Sequence, residues 1–298
     1  MSSPSPQKVA YLGLGIMGAA MSINLRKAGF DVIGWNRTAS RPAVETAKSE
    51  GVKIAKSIEE AVSQVDYVFC CLGDVPDVEQ VLLGDVKKFA RKNAVITDLS
   101  TIGRAAAIHL NEELARSNLR FLDAPVTGGD IGARQGTLTI LVGGEKPTFD
   151  EVLPLFQAIG KNIVYCGKAG SGQAMKLCNQ VLCAINMIAV SETFSLADEM
   201  QIDKKLLLDA LGSGAGASWA LSNLGARVAN GDYQPGFTLE HMLKDLRLIG
   251  ENVSDCQLPG VDLAKKLFQE AGQLGGETGF RQGTQAMFRA YDAAKQTV

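Results

Sequence analysis

Three polar side chains, Lys176, Asn179 and Gln180, stand together in an otherwise apolar run over residues 170–200. At spacings of three and four they fall on one face of a helix. Apolar residues recurring at Met175, Leu177, Leu182, Ile185, Ile188 and Ala189 predict that helix. A lysine among apolar neighbours either snorkels to water or pairs with a carboxylate, or it works as an acid and base with an amide fixing its geometry. The run is apolar on nearly every side, which predicts a helix covered all round by neighbours. With Asn186 and Glu192 added to the polar set, it is a poor membrane span.

A second constellation lies near the start of the chain, Gly13-Leu14-Gly15-Ile16-Met17-Gly18, between a strand-like run and a helical one. In that setting Gly13 permits a tight turn and Gly15 admits a pyrophosphate to the backbone. Gly18 lets the helix pack closely on the sheet, its N-terminus facing the phosphates. The second strand-like run ends in Asn36-Arg37-Thr38, where an NAD-selective site usually carries a carboxylate for the ribose diol. Asn36 removes that charge, and Arg37 and Thr38 offer a cation and a hydroxyl to a 2′-phosphate. The expected cofactor is NADP(H), with NAD(H) second; the plain alternative is a polar turn with a solvated arginine. Leu72-Gly73 and Ser100-Thr101 end later strands, at the edge where open α/β sheets bind ligands. There Leu72 would pack on the dinucleotide and Thr101 would donate to its nicotinamide half. Thr127-Gly128-Gly129 exposes consecutive N–H groups behind a hydroxyl, a concavity suited to a carboxylate or simply a turn.

Stretches of alternating type must position these groups. The runs VAYLG, DVIGW, VKIA, DYVFCCLG, AVITDLS, LRFLDAP, TLTILVGG and NIVYCG read as strands, most of them separated by helical patterns such as 41–49, 104–117 and 148–159. This predicts a mainly parallel sheet with helices on both faces, its later strands partly antiparallel. After the central helix, patterns at 203–211, 220–229, 239–253, 261–271 and 285–295 predict helices without strands. We place the boundary between 1–168, a dinucleotide-binding domain, and 169–298, a helical domain. The glycine-rich stretch 212–219, with Ser218 and Trp219, is either a substrate-covering loop or an ordinary connection. His109 and His241 read as surface or packed histidines.

With 298 residues and a net charge of −2, the chain lacks the basic surplus that nucleic acid or an anionic membrane would need. The opening MSSPSPQK reads as a polar tail without the apolar core of a signal peptide. Six cysteines, mostly in apolar runs and without metal or disulfide spacing, read as buried free thiols, so no metal and a cytoplasmic setting are expected.

GLGIMG, WNRT, DAPVTGG, GSGQAMKLCNQ and Lys244-Asp245-Leu246, in this order across almost the whole chain, resemble the β-hydroxyacid dehydrogenase family. That family includes 3-hydroxyisobutyrate dehydrogenases, tartronate semialdehyde reductases and glyoxylate/succinic semialdehyde reductases. The resemblance implies a Rossmann domain, an all-α C-terminal domain and a long interdomain helix. It also implies NAD(P)-linked interconversion of a short hydroxy acid with its aldehyde or ketone. By resemblance Lys176 is the catalytic lysine, and Thr127, Gly128 and Gly129 form the substrate-carboxylate loop, with Thr where Ser is common. Thr101 contacts cofactor and substrate, Lys244 contacts the cofactor, Asp245 supports the substrate site and Phe237 lines it. Many members carry an amide four residues after the lysine, here Gln180; Asn179, one residue earlier, is our expected partner because its shorter amide is held more rigidly.

The first expectation is NADPH-dependent reduction of succinic semialdehyde and glyoxylate. The alternatives are 3-hydroxyisobutyrate or 3-hydroxybutyrate oxidation, and a non-catalytic dinucleotide-binding regulator. An imine reductase would normally replace the lysine. Partners would be a small carboxylate-bearing substrate and further copies of the chain, as homodimer or homotetramer.

Overall fold

Alternation along short apolar runs builds the first half. In β1 (Lys8–Leu12), Val9 and Tyr11 join one buried cluster while Ala10 and Leu12 join another. The same split divides Phe69 from Val68 and Cys70 in the fourth strand, so the sheet is buried on both faces. The structure, a computed structural model, describes residues 7–295, and the first six residues of the expected polar tail 1–8 lie outside them.

Among the described residues the strands are β1, β2 (Asp31–Trp35), β3 (Lys53–Ile54), β4 (Tyr67–Cys70), β5 (Val95–Asp98), β6 (Arg120–Asp123), β7 (Val126–Thr127), β8 (Leu138–Gly144) and β9 (Gly160–Gly167). They form one sheet in the order β3-β2-β1-β4-β5-β6-β8-β7, with β9 paired to β8. From β3 to β6 every pairing is parallel. The antiparallel pairings expected late in the sheet are β6 with β8 and β7 with β8. One face is closed by Phe149, Val152, Leu155 and Phe156 of the helix Lys146–Ile159. There Phe156 meets Phe69 edge-on at 5.8 Å. Each such large side chain contributes about 1.5–3 kcal/mol by leaving water.

The chain divides into two compact units between Lys176 and Leu177. That point lies within the long helix Ser171–Glu199, which at 1.5 Å per residue is about 43 Å long. The fold is thus a Rossmann-type α/β domain, an all-helical C-terminal region and a long helix running from one into the other. In the second unit, Asp203 caps the helix Lys204–Leu211 by accepting from the Leu206 N–H at 2.8 Å, and Thr238 caps Leu239–Glu251. The pattern at 220–229 resolves into a π-helical turn, Leu221–Gly225, followed by Ala226–Ala229. At 285–295 a 3₁₀ turn, Thr284–Met287, leads into the helix Phe288–Lys295.

One expectation fails. The long helix is not covered on every side: Met175, Cys178, Leu182, Ile185, Ala189 and Leu196 are exposed. Their spacing of three, four, three, four and seven makes a stripe along one side. Apolar periodicity reports that a face avoids water, without saying whether the same chain covers it. Nor are the cysteines uniformly buried: Cys70 is, whereas Cys178 and Cys256 are exposed.

Candidate active site

Strand order reverses at β1, which lies between β2 and β4, so the crevice at its carboxyl end is the expected ligand position of an open α/β sheet. The glycine motif fills that corner. Gly13 has φ of 95°, and a Cβ there would lie 2.3 Å from the Cys71 carbonyl oxygen. A Cβ on Gly18 would sit 1.9 Å from the Gly13 oxygen, so turn and helix interlock. A Cβ on Gly15, by contrast, would meet nothing within 4 Å. Gly15 begins the helix Ile16–Lys27, which has no side-chain cap and no acid in its first turn. Open space in front of uncapped N–H groups fits a dinucleotide's pyrophosphate.

The end of β2 does more than its charge suggested. Asn36 Oδ1 accepts from the Leu14 N–H at 2.9 Å, and Asn36 Nδ2 donates to the Thr38 oxygen at 2.8 Å. It ties the glycine loop to the residues that would face the ribose. Arg37 and Thr38 are exposed, and the Arg37 guanidinium rests on the Asp77 carboxylate at 2.8 Å.

Past β4 and β5, a buried network joins the strand ends. The Leu72 N–H donates to Ser100 Oγ at 2.8 Å, and the Ser100 N–H to Asp98 at 3.0 Å. Gln173, fully buried, accepts from the Ile102 and Gly103 N–H groups at 3.0 and 3.1 Å and donates to the Ser100 oxygen at 2.8 Å. It brackets Thr101, which stays half-buried. Asp123, also fully buried, accepts from the Gly170 N–H at 2.7 Å and the Gln173 N–H at 2.9 Å. Burial pushes its carboxyl up to about 6 against the opposing pull of those two N–H groups, and Asp98 adds to the rise. Lys176 follows Gln173 by three residues and is 6% exposed. Downstream of Asp123, Thr127 ends β7, and Gly128 (φ 125°) and Gly129 (φ 64°) turn into the helix Gly129–Gln135.

Two families match. One, described as the NAD binding domain of 6-phosphogluconate dehydrogenase, covers residues 8–167. The other, described as NAD-binding of NADP-dependent 3-hydroxyisobutyrate dehydrogenase, covers 170–291. The chain belongs to the β-hydroxyacid dehydrogenase family.

Three relatives frame this dehydrogenase. It is 49% identical to an uncharacterised oxidoreductase of Synechocystis, over 96% of this chain and 99% of that protein. It is 33% identical to glyoxylate/succinic semialdehyde reductase 1 of Arabidopsis thaliana, over 90% and 93%. Among solved structures, a 3-hydroxyisobutyrate dehydrogenase of Mycobacterium tuberculosis with L-serine is 31% identical at a TM-score of 0.85, covering 96% and 99%. The chain is an NAD(P)-dependent oxidoreductase of the β-hydroxyacid dehydrogenase type, and its cofactor is a nicotinamide dinucleotide.

Within the second unit of the dehydrogenase, four predicted residues and Gln180 form two groups. Asn179 Nδ2 donates to Gln180 Oε1 at 2.8 Å, and Gln180 Nε2 donates to Asp245 Oδ2 at 2.6 Å. Asp245, buried, also holds Lys244 at 3.0 Å. Gln180 is therefore the buried middle of a chain that Asn179 joins from its end. Phe237 stacks on His241 at 5.8 Å, beside the cap of the helix that carries Lys244. Ser218 caps the π-helical turn by accepting from the Leu221 N–H at 3.0 Å, and Trp219 is exposed. Sequence reasoning passed over Gln173 and Asp123. The available signal was a polar side chain between Gly172 and Ala174, and a carboxylate closing an apolar strand.

Proposed function

We propose that this dehydrogenase reduces short semialdehydes and 2-oxo acids, succinic semialdehyde and glyoxylate among them, to hydroxy acids with NADPH preferred over NADH. The observation that carries the reading is the buried Lys176, one turn beyond the Gln173 side chain that brackets Thr101. When bound, the dinucleotide supplies hydride to the carbonyl carbon. Lys176 donates its Nζ proton to the developing alkoxide, and the N–H groups of Thr127, Gly128 and Gly129 hold the substrate carboxylate. Thr101 fixes the nicotinamide half, while Gly13, Leu14, Gly15, Ile16, Met17 and Gly18 hold the pyrophosphate. Leu72 and Gly73 border the crevice. Asn36, Arg37 and Thr38 take the 2′-phosphate: Asn36 brings no opposing charge, and Arg37 is the cation within reach.

Asn179, Lys244, Asp245 and Phe237 complete the assignment from the helical region. Asn179 acts through Gln180, to which its amide donates, with Cys183 Sγ as its other acceptor. Oxidation runs the same step in reverse and needs the neutral amine of Lys176 to accept the hydroxyl proton. The Arabidopsis relative's name supports the substrate class. A second reading, oxidation of 3-hydroxyisobutyrate or 3-hydroxybutyrate, is favoured by the family match over 170–291 and the Mycobacterium structure.

We place the working protein in the cytoplasm, on its six cysteines, none of which is in a disulfide. Its helical region would pair with further copies through the exposed stripe of the long helix. The deciding experiment follows nicotinamide absorbance with both cofactors against succinic semialdehyde, glyoxylate, 3-hydroxyisobutyrate and 3-hydroxybutyrate. Highest kcat/KM with NADPH and one of the first two supports the proposal; highest kcat/KM for a 3-hydroxy acid replaces it with the second reading.

A further inference from the structure

The root of the long helix is gripped by two buried side chains, Asp123 and Gln173, which stand in the quoted motifs but have no role in the proposed chemistry. Asp123, at the end of β6, takes the Gly170 and Gln173 N–H groups, one on each carboxylate oxygen. These belong to the helix's opening turn, whose N–H groups have no intrahelical partner. A carboxylate from a distant strand therefore does the work that a local serine or aspartate does at other helices. Its fit is close. A Cβ on Gly143 would lie 2.5 Å from Asp123 Oδ1, and a Cβ on Gly172 would lie 2.3 Å from the Leu141 oxygen. The helix root cannot slide toward the sheet, and two charge-assisted bonds keep it from lifting away.

Gln173 carries the restraint sideways. Its backbone N–H is held by Asp123, and its side chain makes three hydrogen bonds to Ser100, Ile102 and Gly103. Ser100 is in turn bonded to Leu72 and Asp98. One connected set of buried bonds thus fixes the loops after β4 and β5 and the helical turn from which Lys176 projects. Burying an ionisable carboxylate to make it is costly, so the grip has a use beyond filling space.

We propose that Asp123 and Gln173 are the positioning residues of Lys176, setting its height above the Thr101 loop so that its Nζ meets the developing alkoxide. This rests on the reading of Lys176 as proton donor. A displacement of about 1 Å at a reacting group costs on the order of 100-fold in rate, whereas the dinucleotide's phosphates bind at the Gly13–Gly18 corner, outside this grip.

The test compares wild type with Asp123→Asn and Gln173→Glu. The first variant offers one acceptor where two N–H groups need one each; the second turns an oxygen toward the Ser100 oxygen while keeping the two acceptor bonds. Steady-state kinetics, NADPH Kd by nucleotide fluorescence and hydrogen exchange of the peptide spanning 168–176 are measured on each. The expected result is kcat lowered about 10- to 100-fold, NADPH Kd raised by much less than kcat falls, and faster exchange in that peptide. A folded variant with kcat within twofold of wild type overturns the proposal, and so does a parallel loss of kcat and NADPH binding. Should Asp123→Asn not fold, Gln173→Glu decides by the same criteria. Lys176→Ala is run alongside: full turnover there removes the proton-donor reading itself, and the exchange measurement on the two variants still reports whether the grip exists.

Discussion

Replacing Asn36 by aspartate tests the cofactor assignment through one atom. The new carboxylate keeps the acceptor for the Leu14 N–H, now 2.9 Å from Asn36 Oδ1, so the glycine loop stays tethered. It loses the donor to the Thr38 oxygen at 2.8 Å, putting oxygen against oxygen. That costs about 1 kcal/mol, but with either cofactor, so it cancels in their ratio. What does not cancel is charge. Two unit charges roughly 5 Å apart repel by about 1–3 kcal/mol at effective dielectrics between those of water and a protein surface. Only the 2′-phosphate of NADPH meets that repulsion, whereas the NADH ribose gains a diol acceptor. The ratio of kcat/KM for NADPH over NADH should therefore fall about 10- to 100-fold, and the fall should shrink as salt screens the pair. The assay is initial-rate kinetics with both cofactors at low and high ionic strength. A ratio that stays within twofold of wild type, or rises, refutes the placement of the 2′-phosphate at Asn36-Arg37-Thr38.

Lys176→Ala should lower kcat by about 10²- to 10⁴-fold while NADPH Kd, read by fluorescence, stays within a few-fold. Because burial raises the Asp123 carboxyl from its ordinary 3.8 to about 6, the folded state binds more protons than the unfolded one between those values. Its contribution to stability is fully present below about pH 4 and is lost as pH rises through 6. Urea unfolding of wild type and Asp123→Asn should differ between pH 4 and 7 by about 3 kcal/mol, wild type gaining on the acid side. Equal pH dependence in the two proteins would show that Asp123 does not titrate there. Leu182→Glu, which places a charge in the exposed stripe where Leu182 is 64% exposed, should shift sedimentation toward the single chain without changing the helical circular dichroism signal.

The sheet was legible because its strands are short apolar runs bounded by turn residues, and each of the expected runs overlaps one. β7 was not, since two residues, Val126–Thr127, cannot display an alternation. The backbone of the glycine corner was legible: Gly13 makes the tight turn and Gly18 packs against it, while the space beside Gly15 is open. Asn36 was half legible, its missing charge visible in sequence and its hold on Leu14 visible only in three dimensions. Gln173 and Asp123 lie 50 residues apart and meet through a crossing of strand and helix that no local pattern encodes. Asn179 and Gln180 are neighbours of equal chemistry, and side-chain reach alone did not predict that Gln180 would find Asp245.

The glycine corner and the β2 end differ in how freely they can change. At the corner each atom occupies the space another residue would need: the Gly13 oxygen fills the place of a Gly18 Cβ, and the Cys71 oxygen that of a Gly13 Cβ. No replacement at Gly13 or Gly18 is small. Arg37 and Thr38 are exposed at the end of β2, where a new side chain displaces water and the surface ion pair of Arg37 with Asp77. Under the proposed assignment, cofactor choice drifts through viable intermediates at the β2 end while the turn at Gly13 and Gly18 stays fixed, which separates what the protein can evolve from what it must keep.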